Sequence, residues 1–222
     1  MVPTSLAIDP YAASTSGAAV EAFRDVVTPH ISDNLQRLPG ITALQRFHRG
    51  RKLLGTAVTV KTRPGDNLVI YKALMTMSPG QVLVVDGAGD MTNALIGELI
   101  MLYAQQRGCA GVVIDGAIRD AAAFYGADFP CYARGVSHRG PYKQGPGVIN
   151  VPVSIAGQVV CPGDIVVGDE DGVVTFPVAD APRLLDAIAQ TARMEDAIKA
   201  EIATGRVEQS WLSKTLGSHG LL

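Results

Sequence analysis

Val82-Leu-Val-Val-Asp-Gly-Ala-Gly-Asp90 and Gly111-Val-Val-Ile-Asp-Gly-Ala-Ile-Arg-Asp120 are two versions of one unit, separated by a helical stretch. Both contain Val-[Val/Ile]-Asp-Gly-Ala. Their apolar runs, 82–85 and 112–114, are continuous rather than alternating, the pattern of strands covered on both faces. Strand, helix, strand in that order implies a parallel pair joined by a right-handed crossover. The C-terminal ends of the pair should then lie side by side. Open parallel sheets bind ligands beyond those ends, here in the loops 86–93 and 115–120. Two such units are too few for a solenoid.

Upstream, residues 53–62 (LLGTAVTVKT) are rich in β-branched side chains and read as a strand. Pro64-Gly65-Asp66 supplies a turn and the start of a helix to about Met77, stopped by Pro79-Gly80. Residues 16–38 are helical in pattern with a break at Thr28-Pro29, giving two short helices. Downstream, residues 130–134, 151–155, 158–160, 164–167 and 173–177 read as the short strands of a β-meander, with Gly157, Gly163 and Asp171-Gly172 as turn signals. A long amphipathic helix is expected from Ala181 to about Thr204. A polar tail ends the chain.

The 222 residues, 47% of them hydrophobic, are enough for one domain with its own core. That domain is expected to comprise N-terminal helices (16–38), a core (about 50–178) and a C-terminal helix and tail (179–222). Nineteen basic against twenty-one acidic residues, with no basic run, give no electrostatic footprint for nucleic acid or an anionic membrane. Three scattered cysteines suggest neither a disulfide framework nor a zinc site. With no signal peptide or membrane-length apolar run, the expected setting is cytoplasmic.

Asp86-Gly-Ala-Gly89 has the look of a dinucleotide- or S-adenosylmethionine-binding turn, but the third glycine is missing and too few strand–helix units follow it. It reads as a tight turn. More informative is Gly97-Glu98-Leu99-Ile100, followed after twenty intervening residues by Arg119-Asp120. A helix starting near Gly97 rather than Asn93 would aim the free amides of its first turn out of the sheet edge, where a carboxylate can be held. The Arg119 fork could grip the same anion. Asp120 offers a hard oxygen ligand and Glu98 a second carboxylate, which favours Mg²⁺ or Mn²⁺ over zinc. The plainer alternative for Arg119-Asp120 is an N-cap with a surface ion pair. Lys61 or Lys72 could form an imine with a carbonyl substrate, although a strand-edge or snorkelling lysine is commoner. Lys143 is a candidate anion contact at the mouth. The histidines lack metal spacing, and Asp169 with Asp171 fits a hairpin turn.

Taken in order, residues 97–108 and 111–120, Phe129-Pro130, Ala133-Arg-Gly135, Asn150-x-Pro152-Val153, Pro162-Gly-Asp164 and Gly168-Asp-x-Asp-Gly-Val173 resemble the family of 4-hydroxy-4-methyl-2-oxoglutarate aldolases and the regulator of ribonuclease activity A. The likeness spans about residues 50 to 205. It implies an α/β, swivelling β/β/α domain, a ring-shaped homotrimer or hexamer, and class II aldolase chemistry with a divalent metal. Catalytic members carry an acidic residue twenty positions before an Arg-Asp pair, a pattern that falls on Glu98, Arg119 and Asp120. Members that only regulate the ribonuclease lack that acid, so Glu98 sides with the enzymes. The alternative is a non-catalytic regulator that binds and inhibits a ribonuclease.

By the same resemblance, Asp120 is the metal ligand, and Arg119 with the amides of Gly97, Glu98, Leu99 and Ile100 holds a 2-oxo acid. Glu195 in the C-terminal helix is expected to reach a neighbouring subunit's site. There, with Glu98, it would position the water that acts as base. Oxaloacetate decarboxylation is expected as a side activity, since it passes through the same pyruvate enolate.

Overall fold

The computed structural model describes residues 7–8, 17–38 and 40–222. In chain order its elements are β1 (Ala7–Ile8), α1 (Gly17–Glu21), α2 (Thr28–Asp33), β2 (Gln45–Arg46), β3 (Leu53–Thr62), α3 (Leu68–Thr76), β4 (Gln81–Asp86), β5 (Ala94–Ile96), α4 (Glu98–Gln106), β6 (Gly111–Ile118), α5 (Ala121–Ala127), β7 (Cys131–Val136), β8 (Gly147–Ile149), β9 (Val153–Ile155), β10 (Gln158–Val160), β11 (Ile165–Gly168), β12 (Val173–Phe176), α6 (Ala181–Ala203) and α7 (Ser210–Ser218). The main sheet runs β1-β8-β3-β4-β6-β7-β2. Its centre, β3-β4-β6-β7, is parallel throughout.

The repeated unit folds as its sequence implies. Strands β4 and β6 pair in parallel with Val82 opposite Gly111 and Asp86 opposite Asp115. Every residue of β6 is buried. Because successive side chains alternate across the sheet, Leu83, Val85 and Ile114 join the cluster under α3 and α4, whereas Val82, Val84 and Val113 join a second one with β9 and β10. A third cluster packs Phe23, Ile31 and Phe176 against Leu184 and Ile188 at the start of α6.

Several boundaries differ from those expected. The break near Pro29 comes earlier: residues 22–27 are non-helical and Pro29 sits in the first turn of α2, where its missing N–H costs nothing. Residue 16 lies outside the described residues. Residues 130–134 do not belong to a meander, because β7 pairs with β6 in parallel. The antiparallel part is instead split. Strands β8 and β11 both pair with the long β3, at residues 60–62 and 53–56, and β9-β10 is a separate hairpin. Its turn places Ala156 and Gly157 at φ 51 and 90, the two left-handed residues of a type I′ connection. The tail beyond α6 is not featureless, since it contains α7.

Candidate active site

The reading of residues 93–96 decides the site. They are not the first turn of a helix. Residues 94–96 form β5, which pairs in parallel with the end of β6, Ala94 opposite Ala117 and Ile96 opposite Ile118. The Arg119 amide then donates to the Ile96 carbonyl at 2.9 Å. Two strand ends therefore stop at the same level, and the residue pairs that follow them, Gly97-Glu98 and Arg119-Asp120, face each other.

The contact is close enough to require a glycine. A Cβ on Gly97 would lie 2.5 Å from Asp120 Oδ2 and 2.8 Å from Arg119 Cγ. Asp120 occupies the left-handed region (φ 55, ψ 38), which Asp tolerates better than most residues. It stands at the N-cap position of α5, yet its side chain makes no cap hydrogen bond there. Instead its Oδ2 accepts the Glu98 N–H at 3.0 Å. Of the plainer alternative, the side-chain capping bond is missing while the Arg119–Asp120 ion pair is present. The Asp120 carboxylate crosses to the start of α4, and the Arg119 Nε lies 3.6 Å from the same oxygen.

One consequence corrects the expected amide cradle. Helix α4 begins at Glu98 with Gly97 as its cap, and its first helical bond runs from Met101 N–H to Gly97 O. The Glu98 amide is taken by Asp120, which leaves Leu99 and Ile100 as the first-turn N–H groups without a partner inside the helix. Glu98 and Leu99 are exposed. Arg119 and Asp120 are each a little under half exposed, 42% and 44% for their side chains, so both can meet a ligand.

The Asp120 carboxylate is a little under half exposed, and an accessible carboxylate oxygen suits a hard cation. Among the described residues no group of three His, Cys, Asp or Glu side chains could hold a metal. A cation bound here would use Asp120 as its protein ligand, with substrate and water completing the shell, the mode in which Mg²⁺ is commonly held. Glu195 is not brought to this cleft within the chain. It pairs with His30 Nε2 at 3.0 Å and with Lys199 at 3.4 Å, on the face where α6 packs against α2. The His30 ring and the Lys199 ammonium hold its carboxyl below the usual carboxylate range.

Other sequence candidates fall into structural roles. Asp86 accepts the Ala88 N–H, and Asp115 pairs with Arg134 and accepts the Ala156 N–H at 3.2 Å. A Cβ on Gly89 would sit 3.0 Å from Arg134 Nε, so the glycine-rich turn accommodates an arginine. Asp169 closes the β11-β12 turn and binds Thr28 through both oxygens. Lys61 is exposed and Lys72 half-buried, neither enclosed as an imine-forming lysine requires. Lys143 is exposed in the loop 137–146, whose Gly140 lies against Arg119. A cavity of about 370 Å³ lined by Lys52, Gly80, Gln105 and Cys109 lies beyond the opposite, N-terminal ends of β4 and β6.

Sequence reasoning missed three residues around the cleft. Asn67 is buried, donates to the Leu95 carbonyl at 2.9 Å and leaves its Oδ1 without a donor among the described residues. Asn93 and Gly140 form the outer wall, with Asn93 Nδ2 donating to Gly140 O at 2.6 Å. The only signal was a turn-rich stretch, Ser137 to Gly147, which marks a loop but not its docking place.

A family model, Aldolase/RraA, matches residues 28–175. The chain belongs to the Aldolase/RraA family. A Halalkalibacterium halodurans protein provisionally named 4-hydroxy-4-methyl-2-oxoglutarate aldolase is 40% identical over 167 residues, covering 75% of this chain and 80% of that one. Among solved structures, Streptomyces coelicolor RraAS2, described as an unusual member of the RNase ES inhibitor RraA family, superimposes with a TM-score of 0.74 at 28% identity, covering 81% of this chain and 94% of its own. The RNA-processing inhibitor RraA from Thermus thermophilis gives 0.64 at 30% identity, over 69% and 93%. The Aldolase/RraA family thus includes relatives named for two different activities.

Proposed function

We propose that this Aldolase/RraA member is a divalent-metal-dependent lyase that cleaves 4-hydroxy-4-methyl-2-oxoglutarate or a related 4-hydroxy-2-oxo acid to pyruvate, and that it also decarboxylates oxaloacetate. One observation carries the reading: the ends of β5 and β6 set Gly97-Glu98 against Arg119-Asp120, so that the Asp120 carboxylate and the Arg119 side chain lie against the start of α4, the turn that carries Glu98 and the Leu99 and Ile100 amides.

Arg119 grips the substrate carboxylate through its planar fork, and the Leu99 and Ile100 N–H groups add partial positive charge from the helix end. A bound Mg²⁺ or Mn²⁺, held by Asp120, would supply Lewis acidity beside the 2-oxo oxygen. As the C3–C4 bond breaks, its electron pair moves toward C2 and negative charge develops on that oxygen, where fixed positive charge lowers the barrier. The 4-hydroxyl proton leaves, C4 becomes a carbonyl, and C3 of the enolate is later protonated to give pyruvate. The Glu98 carboxylate, exposed at the helix start, orients the water that receives the hydroxyl proton. In oxaloacetate the same bond releases carbon dioxide.

We further propose that the chain assembles into a homotrimer or hexamer in a cytoplasmic setting, with Glu195 completing a neighbour's cleft. The ribonuclease-regulator reading draws on the structural relatives named as RNA-processing inhibitors, and Glu98 weighs against it. The discriminating experiment offers a panel of 4-hydroxy-2-oxo acids with Mg²⁺, with chelator and with borohydride. Metal-dependent pyruvate release untouched by borohydride is expected. Release that borohydride traps would place a lysine imine at the centre and end the proposal, and Glu98→Ala with full turnover would remove the role given to Glu98.

A further inference from the structure

Arg119 is a long, half-exposed side chain with little to hold its guanidinium. Its ionic neighbour, Asp120, stands 3.6 Å from Nε, beyond hydrogen-bond range. An arginine side chain has many rotamers to lose, so a fixed orientation needs walls. Two glycines provide them. Gly97 leaves room for Cγ and Nε on one side, and on the other a Cβ on Gly140 would come within 3.1 Å of Nη1.

Gly140 is in turn placed by a side chain. Asn93 Nδ2 donates to its carbonyl at 2.6 Å, and the neighbouring Ala94 N–H donates to Arg139 O at 2.9 Å. Asn93 itself fits because its neighbour is Gly65, at φ +69, where a Cβ would press within 3.3 Å of the Asn93 Cβ. The far end of the loop is anchored separately: Asp66 Oδ2 accepts the Gln144 and Gly145 amides at 2.7 and 3.0 Å, and Asn67 N–H donates to Tyr142 O. Loss of the Asn93 amide would thus remove the side-chain bond that fixes the Gly140 carbonyl, while the backbone bonds of Arg139 and Tyr142 keep the loop in place.

We propose that Asn93 is a positioning residue that sets the orientation of the Arg119 guanidinium through Gly140. The inference rests on the oxo-acid reading of the cleft but is tested apart from it. In ¹⁵N-labelled full-length protein, the Arg119 Nε–Hε resonance is identified by its loss in Arg119→Lys. The Arg134 Nε–Hε, paired with the buried Asp115, serves as the internal reference.

In Asn93→Ala the Arg119 resonance should shift and exchange faster with water while that of Arg134 stays in place. The KM for oxaloacetate should rise about tenfold with kcat within about twofold, the signature of lost uniform binding. An unchanged Arg119 resonance beside an intact Arg134 signal would overturn the proposal, as would both signals moving together, which marks general loosening. Should Asn93→Ala fail to fold, Gly140→Ala presses a methyl toward Nη1 and is read at the same resonance. A shift confined to Arg119 then supports the role of the Asn93–Gly140 wall, and an unmoved Arg119 signal overturns it. A wild-type chain that turns over no 2-oxo acid would remove the proposed function, and the resonances would still decide the role of Asn93.

Discussion

Gly97 and His48 show how much a single residue decides. At Gly97 the requirement is space rather than backbone freedom, since its φ of −152 is open to any residue. Gly97→Ala should force Asp120 and Arg119 apart and lower pyruvate formation about a hundredfold, the usual cost of misplacing a catalytic group by an ångström. Circular dichroism should show the fold retained. His48 matters for stability. Its ring is buried, its Nδ1 accepts the Cys131 N–H at 3.1 Å, and burial pushes its pKa below the ordinary value. The unfolded ring takes a proton below about pH 6.5, while the folded ring resists until a lower pH. Stability should therefore be fully present above about pH 6.5 and decline as the pH falls. Urea unfolding at pH 8, 6.5 and 5 checks this, and His48→Gln should flatten the decline.

Elements are where the sequence was most and least informative. The continuous apolar runs of β4 and β6, short and followed by glycine-containing turns, suit a doubly covered parallel pair, and they form one. The three residues of β5 were hidden, since Ala-Leu-Ile ahead of a helical pattern looks like one more helical turn. Only pairing with β6 makes them a strand. The parallel pairing of β7 was likewise invisible, because direction depends on where the chain re-enters the sheet. For the site, Glu98, Arg119 and Asp120 stood out by residue type and spacing. Asn93, Gly140 and Asn67 did not, because their places depend on loop docking. Asp66 illustrates such docking: fully buried, it accepts the N–H groups of Leu68, Gln144 and Gly145. Asp66→Ala should cost about 3 kcal/mol in urea unfolding, since buried amides lose their acceptor.

At the scale of the whole molecule, α6 buries only its first turns. Leu184 and Ile188 are covered, whereas Met194 and Ile202 farther along the same helix are exposed. Light scattering should give three or six times the 23.3 kDa chain mass, and Glu195→Ala should then lower turnover in the assembled protein. A monomer would restrict Glu195 to its bonds with His30 and Lys199. No helix among the described residues is long and apolar enough to cross a membrane.

The meeting of two strand ends is tested most directly by pyruvate release from oxaloacetate, followed with Mg²⁺, after chelation, and in Asp120→Ala. Release that stops on chelation and falls at least about a hundredfold in Asp120→Ala is the predicted result. Release that survives either treatment would contradict it.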